Sequence, residues 1–276
     1  MSIPIVLDLY LWLGPRLSPQ PLIHRLLPTL PFSEGSQVLL GGMNLFSLLS
    51  SSLLRMPSVG GAETAEPAFV PLLVMVVDDG LSLLGWVLLL FSSGLFLGSI
   101  YLVLLAHPLM AETRTGLLRQ AGVLWLRAVS LVLFLLTAAF FVGLPVTLAI
   151  TLASMLSPIL AQAVSLASLA FLIGIAFYLF FTIEAMVISE VGPLRAAWNS
   201  ITVVRKNPWS AVGFIILINI IGLGLLRVWR SLGGTGWGAV LAILGNAFVG
   251  SGLVASSLLY YRDRYNAGLE EKSGNG

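Results

Sequence analysis

A chain of 276 residues that is 58% hydrophobic and only 9% charged cannot build the surface of a soluble globule, which brings charged residues to about 25% of the whole. Its mean hydropathy of +1.00 makes lipid the solvent. The net charge of +2 is small, and the absence of cysteine excludes disulfide frameworks and thiolate metal sites.

Residues 1–35 form an expected N-terminal interfacial segment. Pro15, Pro19, Pro21, Pro28 and Pro31 break any long helix there, so short apolar pieces at 3–13 and 21–27 suit the membrane surface. The first piece does not read as a cleaved signal: no Lys or Arg precedes it, Asp8 interrupts it, and Gly14-Pro15-Arg16 ends it. Residues 37–54 are uncharged and just long enough to cross, although they carry Asn44, four serines and Gly41-Gly42. They are taken as the first span. A loop with Glu63 and Glu66 follows, then Asp78-Asp79 ahead of a strong span at 81–106. Asp79 is expected to cap that helix.

From Ala128 to Ile183 runs a stretch of 56 residues without a charge. At about 1.5 Å per residue, one helix of that length would far exceed a hydrocarbon core of about 30 Å. Folding at Ser157-Pro158 yields spans at 128–156 and 160–189, with Pro145 inside the first. Spans at 209–226 and 237–261 complete a single transmembrane domain over 36–262, and 263–276 read as a polar, frayed cytoplasmic tail. The expected fold is an all-α integral membrane protein with six transmembrane helices and interfacial amphipathic helices. Two hairpins, 81–156 and 160–226, each carry a basic connecting segment, at 107–127 and 190–208.

Trp86, Trp125, Trp209, Trp229 and Trp237 fall near proposed span ends, where an amphipathic ring is best accommodated. With six spans, eleven Lys and Arg lie on the side of the termini and three (Arg55, Arg227, Arg230) on the other. Both termini are then cytoplasmic by the positive-inside rule, in a bacterial inner membrane. Should 37–54 not span, the N-terminus moves outside and the split becomes nine to five.

Glu184 is the one acid inside a proposed span. Such groups usually face a bundle interior or a water-filled cavity, so it reads either as a proton or cation site or as a carboxylate reaching the interface, paired with Arg127 or Arg195. Asn219 and Asn246 sit near the middles of their spans, as an interhelical amide pair or as substrate contacts. Gly94 and Gly98 form a GxxxG, and Ala242, Asn246 and Gly250 continue a row of small residues, both signs of close helix packing. The segment 192–207 reads GPLRAAWNSITVVRKN. Leu194, Ala197, Trp198, Ile201, Val204 and Arg205 recur at helical intervals, so it is expected to be an amphipathic connector. Arg195, Trp198, Arg205 and Lys206 become candidate contacts to lipid or to a partner.

His24 and His107 fall in no ligand pattern, and neither a GxSxG nor a nucleotide loop occurs. No catalytic, metal or cofactor site and no nucleic-acid partner are expected. The stretch PLRAAWNSITVVRKNPWSAVGFIILINIIGLGLL resembles bacterial multi-pass families of uncharacterised function. Among them is the membrane domain attached to some glycerophosphodiester phosphodiesterases. Ala196, Ser200 and Asn207 match its Ala-x-x-x-Ser…Asn helix over roughly 190–262, implying a six-helix membrane module and no catalytic residues. Three functions stay open: a non-enzymatic accessory or scaffold subunit beside other membrane proteins, favoured by default; a small-solute transporter or permease subunit; and an enzyme acting on lipid.

Overall fold

A computed structural model describes residues 2–19, 44–50, 52–59, 74–109, 116–232 and 236–274. In chain order these form α1 (Ser2–Leu13), β1 (Arg16–Ser18), two 3-10 helices (Leu45–Ser50 and Ser52–Leu54) and β2 (Val74–Val76). Then come α2 (Gly80–Ala106), α3 (Leu117–Leu156), α4 (Pro158–Tyr178), α5 (Thr182–Ile188), α6 (Pro193–Lys206), α7 (Pro208–Leu232) and α8 (Gly236–Gly274). Among the described residues five stretches are long and apolar enough to cross a bilayer: Gly80–Leu109, Leu117–Leu156, Pro158–Ile188, Pro208–Trp229 and Trp237–Gly268. The chain is a multi-pass membrane protein built of helices.

Helix starts follow local chemistry. The Asp79 carboxylate accepts from the Ser82 N–H at 3.2 Å, capping α2 as expected. Pro158, Pro193 and Pro208 open α4, α6 and α7, at the positions where a missing N–H costs nothing. Pro145 lies within α3, which continues through it.

Four features depart from the sequence reading. Of the expected span at 37–54, residues 37–43 lie outside the described residues, and 45–50 and 52–54 form 3-10 helices where an α-helix was expected. Polar side chains explain this. Asn44 Oδ1 accepts from the backbone N–H of both Leu17 and Phe46, and Ser50 Oγ donates to the Ser47 carbonyl, so this stretch is held by local bonds that compete with a regular helix. Second, β1 and β2 pair in parallel, Arg16 against Val74, a small exception to an all-α architecture. Third, α8 runs on to Gly274 where a frayed tail from 263 was expected; Tyr261 and Tyr265 stack one turn apart at 5.6 Å and carry the helix past its apolar stretch. Fourth, α3 begins at Leu117, inside the connecting segment expected at 107–127. Trp229 closes a candidate span and packs on Gly245 of α8, while Trp209 and Trp237 are exposed at their helix starts. The expected interfacial piece at 21–27 and the loop around Glu63 and Glu66 lie outside the described residues.

The chain divides into two compact units, Met1–Gly122 with Ile216–Ser256, and Val123–Ile215 with Ser257–Gly276. In the first, the GxxxG face of α2 receives the 3-10 segment. A Cβ at Gly94 would stand 2.6 Å from the Leu48 carbonyl oxygen and 2.8 Å from that of Leu49, and one at Gly98 would stand 2.9 Å from Leu54 Cδ1. Gly250 faces Pro57 in the same manner, and Tyr101 donates to Ser251 Oγ at 3.1 Å. Small residues thus admit backbone here, and the α2 stripe holds an irregular segment in place of a second helix. In the second unit, α3 satisfies its own hydroxyls. Thr137, Thr147 and Thr151 each donate to a carbonyl three or four residues back, at 2.8–2.9 Å, as side chains facing hydrocarbon must.

Gly94→Ala should force the Leu48–Leu49 backbone away from α2. We expect a loss of about 1–3 kcal/mol, read as a lowered Tm in detergent, while Gly143→Ala, where nothing stands within 4 Å, leaves Tm unchanged.

Candidate functional site

The polar residues of the second unit gather where α4 breaks and α5 begins. After Tyr178 the chain turns through 179–181 before α5 resumes the same apolar stretch. Such a break strands backbone groups that hydrocarbon cannot satisfy. Ser200 of α6 supplies both missing partners: its hydroxyl donates to the Tyr178 carbonyl at 2.7 Å and accepts from the Phe181 N–H at 3.1 Å. Ser200 is fully buried, as are Ala196 and Val204 beside it. Their small volumes let α6 lie close against the break.

Glu184 stands on α5, 2% exposed, and its Oε1 accepts from Ser257 of α8 at 2.5 Å. One turn further along α8, the Tyr261 hydroxyl shares a 3.1 Å hydrogen bond with Ser189. Arg127 of α3 reaches the Met186 carbonyl at 3.5 Å, and Arg195 is exposed on α6. An aromatic column lies alongside: Tyr260 stacks on Phe214 at 4.3 Å and on Phe181 at 5.3 Å. Tyr260 also donates to Ser210 at 3.0 Å. Arg264 completes this corner, donating to Ser210 at 3.2 Å and to Asn207 Oδ1 at 3.5 Å. The arrangement ties α5, α6, α7 and α8 together through serine and tyrosine hydroxyls, one carboxylate and three stacked rings.

Helix α6 is amphipathic, with one face of small residues turned inward. Ala196, Ser200, Val203 and Val204 turn inward, while Leu194 and Trp198 are 63% and 68% exposed. Arg195, Arg205 and Lys206 are exposed with them. The expected stripe of Leu194, Ala197, Trp198, Ile201, Val204 and Arg205 is therefore mostly the outer face, with Val204 on the inner one. The inner face selects residues small enough for close approach.

In the first unit the two asparagines occupy unlike settings. Asn219 is exposed on α7. Asn246 is half-buried, and its Nδ2, like the Trp229 indole nitrogen, is enclosed without a hydrogen-bond partner. Asp8, noted in the sequence only as a break in an apolar run, is fully buried. Its carboxylate accepts from the Ser58 hydroxyl and from the Val59 N–H, the latter at 3.0 Å. An acid within an apolar helix was the visible signal, but its partners lie fifty residues on in a Pro- and Gly-containing loop. Among the described residues no group of three metal-ligating side chains gathers.

No family model, no curated protein and no solved structure matches this chain.

Ser200→Ala leaves the Tyr178 carbonyl and the Phe181 N–H unsatisfied in a buried place. A loss of about 1–3 kcal/mol should appear as a lower Tm in detergent, with Ser256→Ala, whose hydroxyl only bonds back to Gly252, as the silent comparison.

Proposed function

We propose that the chain is a non-enzymatic scaffold or accessory subunit of a membrane assembly. The observation that carries this reading is the state of α3 and α4. In their most apolar eighteen residues only 6% and 11% are buried inside the chain, against 39% for α2 and for α8. Phe140, Phe141, Leu148, Leu166 and Phe171 are all more than half exposed. Helix association in lipid draws on close packing, and these two stretches, like Pro208–Trp229 at 11%, leave most of their apolar surface open to neighbours. Several buried polar groups are, by contrast, engaged within the chain: Ser200 at the break, Glu184 on Ser257, Asp8 on Ser58 and Val59. The membrane is taken as a bacterial inner membrane. With five spans the termini lie on opposite sides, and the nine-to-five split of Lys and Arg keeps the C-terminus cytoplasmic and moves the N-terminus outside.

Photocrosslinking from positions 140, 148 and 166 in intact membranes tests the reading. The expected result is a discrete protein adduct from these positions and none from Leu102 or Val254, which are buried. Crosslinks to lipid alone, together with a monomeric mass in native membranes, would end it.

Glu184 favours a second reading, a small-solute transporter. An enclosed carboxylate on a broken helix, bonded to a hydroxyl on another, is a common form for a proton- or cation-coupled step. On that reading Glu184→Gln removes ion-coupled solute flux in liposomes while leaving Tm in detergent within a few degrees of the parent. A scaffold shows no flux with either side chain.

A further inference from the structure

Two hydrogen-bond donors of the first unit are enclosed yet meet no acceptor among the described residues: the indole N–H of Trp229 on α7 and Nδ2 of Asn246 on α8. Their depth matters. Trp237, at the start of α8, is exposed, and Asn246 lies about 14 Å further along the helix at 1.5 Å per residue. It therefore stands inside the apolar stretch Trp237–Gly268, where hydrocarbon offers no acceptor.

The two donors are held on one turn of α8. Gly245 admits the Trp229 ring: a Cβ there would overlap Cη2 and stand 2.7 Å from Cζ2. Cζ2 is two bonds from Nε1, so the indole N–H is fixed beside the residue that precedes Asn246. Asn246 itself belongs to the row Ala242, Asn246, Gly250, whose members share one face at helical spacing. Ala242 is buried and Gly250 faces Pro57, so this row is the inner face of α8. Residues 245 and 246 do separate things: the glycine clears room for the ring, and the asparagine sets a polar group next to it. Packing alone would be served better by an apolar side chain at 246, because an enclosed amide without a partner keeps its desolvation cost.

We infer that Trp229 Nε1 and Asn246 Nδ2 form a two-donor site that holds a neutral acceptor oxygen. Both donors are uncharged. An anion between them in hydrocarbon would keep most of its desolvation cost, whereas a water or an ester carbonyl gains two N–H···O bonds there. Water oxygen and lipid ester oxygen present the same chemistry to this pair. Buried waters settle on polar groups that lack other partners, and an indole near a span end lies toward the headgroup level, as Trp229 does at the close of Pro208–Trp229. The occupant joins α7 to α8 through its oxygen. The site involves neither Glu184 nor the open surfaces of α3 and α4, so it stands or falls separately from the scaffold and transporter readings.

Nuclear magnetic resonance of the full chain in deuterated detergent, isotope-labelled at the tryptophan nitrogens, tests the site. Val228 is the one valine that precedes a tryptophan, so labelling valine carbonyls as well identifies the Trp229 signals without any substitution. The Trp229 indole proton is expected downfield, at a hydrogen-bonded position, with a cross-relaxation contact to a proton outside the chain. A contact to water that persists in lipid-free detergent identifies a water. A contact to glycerol protons that is lost on delipidation and returns with phosphatidylglycerol identifies an ester carbonyl. Asn246→Leu should shift the Trp229 signal upfield while the Trp86 and Trp237 signals stay in place, and Gly245→Ala, which drives the ring off α8, should shift it likewise. The contacts of the parent chain decide the matter even where a variant fails to fold. An upfield, unbonded position in the parent would overturn the inference, as would a position unmoved by a folded Asn246→Leu. A hydrogen-bonded position with neither contact would also overturn it, since the Asn246 amide oxygen would then be the acceptor.

Discussion

Hydrocarbon accepts and donates no hydrogen bonds, so each polar group that enters it must find its partner inside the protein. Apart from the enclosed Asn246 Nδ2 and Trp229 indole nitrogen, this chain meets the condition at two scales. Along α3 the threonine hydroxyls turn back onto carbonyls of their own helix, which leaves a surface as apolar as leucine to its surroundings. Where a helix is interrupted the remedy comes from another element. At 179–181 the backbone leaves its helical path, and a single hydroxyl from α6 serves the carbonyl on one side of the gap and the N–H on the other. The break and the surface helix require each other.

That dependence organises the second unit. Because Ser200 must reach the break, α6 is held close by a face of alanine, serine and valine, and its large residues are left outward. Because the break redirects α5, Glu184 comes to Ser257, and Phe181 comes to Tyr260 in the aromatic column. A carboxylate, a hydroxyl and stacked rings thereby connect three apolar stretches without a regular coiled-coil seam. In the first unit the same solvent acts through shape. Gly94, Gly98 and Gly250 open places where carbonyls, a leucine and a proline come nearer than any Cβ would allow, and the irregular 45–59 segment is lodged there.

What the sequence made legible follows from how locally each signal is written. The Ser157-Pro158 turn and the helix-opening prolines depend on neighbours in the chain, and the structure reproduces them; α3 nonetheless begins eleven residues ahead of the expected span, at Leu117. The segment at 37–54 misled because length and absence of charge were weighed above Asn44, whose amide oxygen serves two backbone N–H groups. At α6 the helical period and the exposed candidates Arg195, Trp198, Arg205 and Lys206 were legible; the inward task of Ser200 was not, because the groups it serves lie in another element. The partners of Asp8 and Glu184 were beyond reach because they lie 50 and 73 residues away. Ser200, Ala196 and Asn207 were visible as a pattern; their tasks, bridging a gap, allowing close approach and receiving Arg264, required coordinates.

The unbroken course of α8 has a mechanical corollary. Its 39 residues make a rod about 58 Å long, against a hydrocarbon thickness of about 30 Å, so about 28 Å must project. Trp237 sits at the very start of the helix, so the surplus falls at the opposite end, where its first turns are tied to α5 and α7 through Ser257, Tyr260 and Tyr261 and only the last turns extend beyond. A tilt of about 20°, ordinary for a spanning helix, would sweep the far end sideways by nearly 10 Å. Slight rocking inside the lipid would therefore reach the water magnified, as it does at the tip of an oar.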